Sequence, residues 1–92
     1  MSLATAPQTF RLISVELLDE PSLPMRETFD ESKLDELTQS IRATGLIEPI
    51  VVKPARGRYE VVAGHRRLLA CRRAPMVDVP CIVRELDAEL RV

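Results

Sequence analysis

A chain of 92 residues and 10.4 kDa is long enough for one domain with a single modest core and too short for two. Hydrophobic residues at 46% and charged residues at 29% describe an ordinary soluble chain, and 3% aromatics without tryptophan assign the core to leucine, isoleucine and valine. A formal net charge of -1 excludes a uniformly basic nucleic-acid surface, no apolar run nears the roughly 18 residues of a bilayer span, and no basic region followed by an apolar stretch marks a signal peptide.

Met1 to Gln8 is small and polar and is expected to be disordered, leaving residues 9–92 as the domain. Thr9 to Ile13 fits a first strand, and Val15, Leu17 and Leu18 fit a short turn packed on the core. Pro21 and Pro24 hold the next piece extended, with Arg26 as a candidate ligand contact. Asp30 is a good N-cap, and Phe29 and Leu34 are spaced as a hydrophobic staple. Leu34, Leu37 and Ile41 form one apolar stripe, so the first helix is expected from Glu31 to Thr44. Gly45 then stands at a left-handed stop, with Leu46 folding back on Ile41 in a Schellman contact. The acids Glu31, Asp35 and Glu36 are explained by the helix dipole and solubility.

Leu46 to Pro54 reads as a strand opened by Pro49 and closed by Pro54. Arg56-Gly57-Arg58 is a turn and Tyr59 to Ala63 the returning strand, which makes Ile50 to Val62 a hairpin. A second helix is expected from Arg66 to about Ala74, stopped by Pro75, and a last strand from Val79 to Leu86. The order of elements is that of an α+β domain with a small mixed sheet. Cys71 and Cys81 lie in apolar contexts and, without a secretory signal, are expected to be free core thiols in a reducing, cytoplasmic compartment.

The charges are unevenly placed. Glu16, Asp19, Glu20, Glu27, Asp30, Glu31, Asp35 and Glu36 face only Arg26 and Lys33 in their part of the chain. Lys53, Arg56, Arg58, Arg66, Arg67, Arg72 and Arg73 face only Glu60 in theirs. This favours a local anionic ligand, the alternative being two complementary patches that pair with each other.

The stretch Val61-Val62-Ala63-Gly64-His65-Arg66-Arg67 is the candidate place for that ligand, the alternative being that Arg66 and Arg67 are solvated or paired with surface carboxylates. A strand that turns through glycine into a helix gathers free backbone N–H groups and the positive end of the dipole at one point. Arginines in a first turn oppose the dipole by about 0.3 to 1 kcal/mol each, and a phosphate held by Arg66, Arg67 and the amides would offset that cost. Arg72 and Arg73 sit near the end of the same helix, where positive charge suits the dipole. His65 can donate to a phosphate or serve as an acid or base. With one histidine and no Cys/His cluster, a zinc site or a Ser-His-Asp arrangement is not expected, and neither the Walker nor the dinucleotide fingerprint occurs.

Several segments, in this order, carry a resemblance. They are Phe29-Asp30, Leu34-Asp35-Glu36-Leu37, Ser40-Ile41-Arg42, Gly45-Leu46-Ile47-Glu48-Pro49-Ile50-Val51-Val52, Tyr59 through Arg67, and Val79-Pro80-Cys81-Ile82-Val83-Arg84. From about Phe10 to Leu86 the chain resembles the N-terminal domain of ParB partition proteins, within the ParB/sulfiredoxin fold. The resemblance implies a nucleotide-binding domain of a chromosome or plasmid partition or nucleoid-associated protein. Its helix-to-strand loop, here Gly45, Leu46, Ile47, Glu48 and Pro49, would line the cytosine and ribose pocket of CTP. Its Gly-Glu-Arg-Arg motif, here Gly64, His65, Arg66 and Arg67, would hold the phosphates.

His65 stands where the family carries glutamate, which removes a carboxylate from Mg2+ coordination and hydrolysis. The family's next nucleotide motif, its helix-turn-helix and its dimerisation domain would lie beyond Val92. DNA is therefore expected only through domains outside this chain, CTPase activity only with residues beyond it, and a homodimer is left open. Sulfiredoxins resemble this fold but use a cysteine just before His-Arg. Gly64 occupies that place and Cys71 lies seven residues on, so sulfinic acid reduction is not expected. Two other readings stay open: an enzyme, phosphotransferase or nuclease, with Glu31 or His65 in acid-base work, and an interaction module that has lost the nucleotide.

Overall fold

The computed structural model describes residues 8–22, 30–46 and 48–85. Its elements are β1 (Gln8–Ser14), a 3-10 turn (Val15–Leu17), β2 (Leu18–Asp19), α1 (Glu31–Thr44), β3 (Ile50–Ala55), β4 (Arg58–Ala63), α2 (His65–Arg73) and β5 (Asp78–Arg84). The strands form one mixed sheet in the order β1-β5-β3-β4-β2. Neighbours alternate: β1/β5 and β3/β4 are antiparallel, β5/β3 and β4/β2 parallel. No helix among the described residues is long and apolar enough to cross a membrane.

The core lies on one face of this sheet. Ile13, Leu18, Ile50, Val52, Val61, Val79, Cys81 and Val83 point inward to meet Leu34 and Ile41 of α1 and Leu68, Ala70 and Cys71 of α2. Period-2 burial makes this possible, most clearly in β5, where Val79, Cys81 and Val83 are buried and the residues between them are only partly so. The hairpin turns through Arg56 (φ 56) and Gly57 (φ 79), the two positive angles that a tight two-residue connection demands.

Several boundaries differ from the sequence-based expectation, each for a physical reason. Gln8 already belongs to β1, opposite Arg84. Leu18 leaves its turn to pair with Tyr59, so a short parallel strand stands where only a turn was expected. Pro54 lies inside β3 opposite Tyr59 and does not close it. The β5 pairing of β3 ends at Val52, so beyond that point β3 has an open side where a proline breaks no ladder bond.

In α1 the buried positions are Leu34, Thr38 and Ile41, while Leu37 is only partly buried on the flank. Thr38 tolerates burial because its hydroxyl donates to the Leu34 carbonyl at 2.8 Å. Gly45 ends α1 with its N–H on the Ile41 carbonyl at 2.8 Å, but at φ 83 and ψ 173 it is not left-handed helical. This glycine-only region sends the chain straight out, so the exit is not a Schellman turn. Leu46 instead packs partly buried against the core. The second helix starts one residue earlier than expected, at His65. The expected staple residue Phe29, the Arg26 contact, the end of the last strand at Leu86 and residues 1–7 lie outside the described residues.

Candidate anion-binding site

β4 delivers Ala63 to the edge of the core, and Gly64 turns the chain at φ 105, ψ 31 directly into α2. A Cβ at Gly64 would meet Ile50 side-chain carbons at 3.5 Å, an ordinary contact, so the backbone angle and not space requires glycine here. The first bond of α2 runs from the Leu68 N–H to the Gly64 carbonyl at 2.9 Å. The amides of His65, Arg66 and Arg67 precede it and have no acceptor within the helix. Gly64 offers this start no side-chain cap, and its first turn holds no acid.

A cavity of about 610 Å³ opens on that turn, walled by Val62 through Arg67, by Glu48 from the α1–β3 connection, by Leu37 of α1 and by Pro21. A second lobe of about 300 Å³ continues between α1 and the same connection, lined by Ser40, Ile41, Gly45 and Leu46 and sharing Leu37, Glu48 and Arg67 with the first. Both volumes fall within the range of small-molecule sites, about 300 to 1,000 Å³. Gly45, Leu46, Glu48, Gly64, His65, Arg66 and Arg67 are thus brought together across the two lobes. Pro49 lines neither lobe, and Ile47 lies outside the described residues.

The basic side chains divide by their partners. Arg67 Nη2 donates to Glu48 Oε1. His65 Nε2 lies 3.1 Å from Glu20 Oε1, and the other oxygen of Glu20 accepts from Arg72 Nη1 at 2.9 Å. Hydrogen bonds from Arg72, and then from His65, hold the Glu20 carboxyl below its ordinary value. Arg73 donates to Glu31 at 3.1 Å and to Asp35 at 3.2 Å, so these acids of α1 serve a clasp between the helices in addition to the dipole. Arg58 makes a two-toothed pair with Asp19 at 3.0 and 3.1 Å. Much of the charge asymmetry in the sequence is therefore spent on internal pairing. Arg66, exposed at the cavity mouth, makes no hydrogen bond or ion pair among the described residues, although its charge is felt by the Asp30 carboxylate.

Glu31 and His65 are not brought together, because Glu31 is engaged by Arg73 and lines neither lobe. Burial pushes the thiols of Cys71 and Cys81 up to about 11, far from the thiolate a nucleophile needs. Among the described residues no group of three or more His, Cys, Asp and Glu side chains could hold a metal ion. Sequence reasoning missed Glu20, which lies 45 residues from His65 and carries no local signal. It also missed that Leu37 and Ser40 line the lobes, although the only partial burial of Leu37 accords with a place at a cavity.

A helix start bearing arginines at the wall of a two-lobed cavity gives this α+β domain a candidate anion site. The chain belongs to the ParB N-terminal domain family, whose model matches residues 2–92. It is similar to a probable chromosome-partitioning protein ParB of Coxiella burnetii, 35% identical over 91 residues, which cover 99% of this chain and 31% of the relative. It therefore spans about a third of that relative's length. The fold superposes with a TM-score of 0.79 on C-terminally truncated chromosome-partitioning ParB from Caulobacter crescentus, complexed with CTP-gamma-S, at 41% identity over 86% of this chain and 46% of that one. Sulfiredoxin from Arabidopsis thaliana shares the fold at a TM-score of 0.70 and 28% identity, over 91% of this chain and 99% of the other.

Proposed function

We propose that this domain binds a nucleotide, CTP, with the phosphates at Gly64 to Arg67 and the base and ribose in the smaller lobe beside Gly45, Leu46 and Glu48. The observation that carries this reading is the start of α2 at the cavity wall: Gly64 gives no side-chain cap, the first turn holds no acid, and Arg66 stands exposed there, sensing the Asp30 carboxylate but making no hydrogen bond or ion pair among the described residues. Among the described residues Arg58, Arg67, Arg72 and Arg73 are paired with carboxylates. A guanidinium in a first helical turn, against the dipole, is costly unless an anion arrives. The CTP-analogue complex of the Caulobacter relative supports the choice of nucleotide.

Each residue then has a role. Gly64 supplies the backbone angle that aims the amides into the lobe, and Arg66 supplies the first charge-assisted bond. Arg67 is released from Glu48 as a phosphate takes its place. Pro49, placed at the base by family resemblance, lines neither lobe and shapes the connection between α1 and β3. Within a full-length partition-type protein this module would pair with DNA-contacting and dimer-forming segments, in line with the function named for its relatives.

Calorimetric titration with CTP, ATP and GTP, with and without magnesium, tests the reading. Selective CTP binding that is lost in Arg66→Ala is expected. Binding that survives Arg66→Ala unchanged would remove the phosphate assignment, and a domain that binds none of the three would favour an interaction module.

A further inference from the structure

We propose that Glu20 is a positioning residue of this site: its carboxylate fixes the His65 ring at the start of α2 and holds Pro21 as a wall of the larger lobe. This role rests on the reading of that lobe as the phosphate site, yet its first test needs no nucleotide.

The segment Glu20-Pro21-Ser22 is stapled at both ends. β2 runs parallel to β4, so the chain leaves the sheet alongside the strand that delivers Gly64. On one side Glu20 bridges α2, with Oε1 3.1 Å from His65 Nε2 in the first turn and Oε2 accepting from Arg72 Nη1 at 2.9 Å in the last. Arg72 returns to the strand through Nη2, which donates to the Leu18 carbonyl at 3.1 Å. On the other side the Ser22 amide and hydroxyl both donate to Glu60 Oε2 of β4 at 2.7 Å. Between these anchors stands Pro21, which lines the lobe. Its ring fixes φ, which leaves one backbone torsion fewer to absorb a shift of Glu20 before it reaches the wall.

The same carboxylate sets the chemistry of the ring. Arg72 and His65 keep Glu20 ionised, and an ionised carboxylate can only accept, so the proton of a neutral His65 resides on Nε2. The His65 side chain is only 16% exposed, which leaves the ring little freedom to turn away. Arg72 also neutralises the carboxylate, so that a negative charge beside an anion site does not repel the ligand. A glutamate at position 65 would instead set two carboxylates against each other.

The chain has one histidine, so 15N-imidazole spectra report on this ring alone. The folded wild-type domain is expected to show only the Nε2–H form of the neutral ring. Glu20→Ala should show both tautomers and bind CTP about tenfold more weakly, the equivalent of one charged hydrogen bond. Glu20→Gln, which keeps an acceptor oxygen, should restore the single tautomer and most of the affinity. His65→Glu should weaken CTP binding, and adding Glu20→Gln to it should recover part of the loss, a coupling that a general loss of structure would not produce. If Glu20→Ala fails to fold, Arg72→Ala, which frees one oxygen only, carries the same measurement.

An unchanged tautomer in Glu20→Ala overturns the positioning role. So does a changed tautomer with unchanged CTP affinity. If the wild-type domain binds no CTP, the functional reading fails, and the tautomer spectra decide by themselves whether Glu20 fixes His65.

Discussion

α1 starts under Asp30, whose Oδ1 accepts the amides of Ser32 and Lys33 at 2.9 and 3.4 Å, with Glu31 in the first turn. α2 starts under Gly64 with no side-chain cap and no acid, and with Arg66 and Arg67 in its first turn. The first start satisfies its own amides and complements its own dipole. The second does neither from its own first turn, and it opens on a cavity. On the proposed reading the first start serves stability and the second a ligand.

The comparison breaks most completely if α2 is made to resemble α1. Arg66→Glu is expected to reduce CTP affinity by about 100-fold, the worth of one charge-assisted bond plus a new repulsion, in calorimetric titration. The same change should raise stability slightly, by about 0.3 to 1 kcal/mol in urea unfolding, because it corrects the dipole. Opposite signs in binding and stability are the decisive outcome. A loss in both would mean that Arg66 holds the fold.

Gly64→Val comes next. A β-branched residue at φ 105 should cost about 1 to 3 kcal/mol in the same unfolding experiment. The Asp30 cap tolerates conservative change at no such cost, so equal sensitivity at the two starts would contradict the contrast. Glu48→Gln removes the internal partner of Arg67. It is expected to tighten CTP binding about two- to fivefold at low salt, with the gain fading as salt rises. Weaker binding in that variant would show that Glu48 contacts the ligand favourably.

The smallest effect is a pH dependence. The Ser32 side chain first, then the Lys33 and Ser32 amides, hold the Asp30 carboxyl below its ordinary value of 3.8. A lowered folded-state value means that the stabilisation is complete above the unfolded value and is lost as pH falls through the folded one. Asp30→Asn keeps the cap without the titration. The stability gap between wild type and Asp30→Asn should therefore be flat near neutrality and change only below about pH 4, as read by thermal melts.

What the sequence made legible was local. Asp30, Gly45, Gly57 and Gly64 mark turns whose chemistry lies within four residues, and the period of Leu34 and Ile41 marks a buried face. These features gave α1, the hairpin and the mixed α+β sheet, and they located the turn at Gly64. What stayed hidden depends on partners far along the chain. Glu48 takes Arg67 from 19 residues away, Glu20 takes His65 from 45, and Arg73 reaches Glu31 across 42. Thr38 in place of Leu37 is a smaller case. Helical spacing allows either on the buried face, and only the packing of α1 against α2 decides between them.

The register that sets Gln8 opposite Arg84 has a consequence for how the chain acquires its shape. The β3–β4 hairpin closes through two turn residues and needs nothing beyond Ala63, so it forms early at little entropic cost. Among the described residues β1 has β5 alone for a neighbour, and every one of its rungs spans most of the sequence. On a ribosome β1 must wait for β5, made after the hairpin and both helices, before it has a place. Its amides should be the last in the sheet to gain protection from hydrogen exchange during folding and the first to lose it.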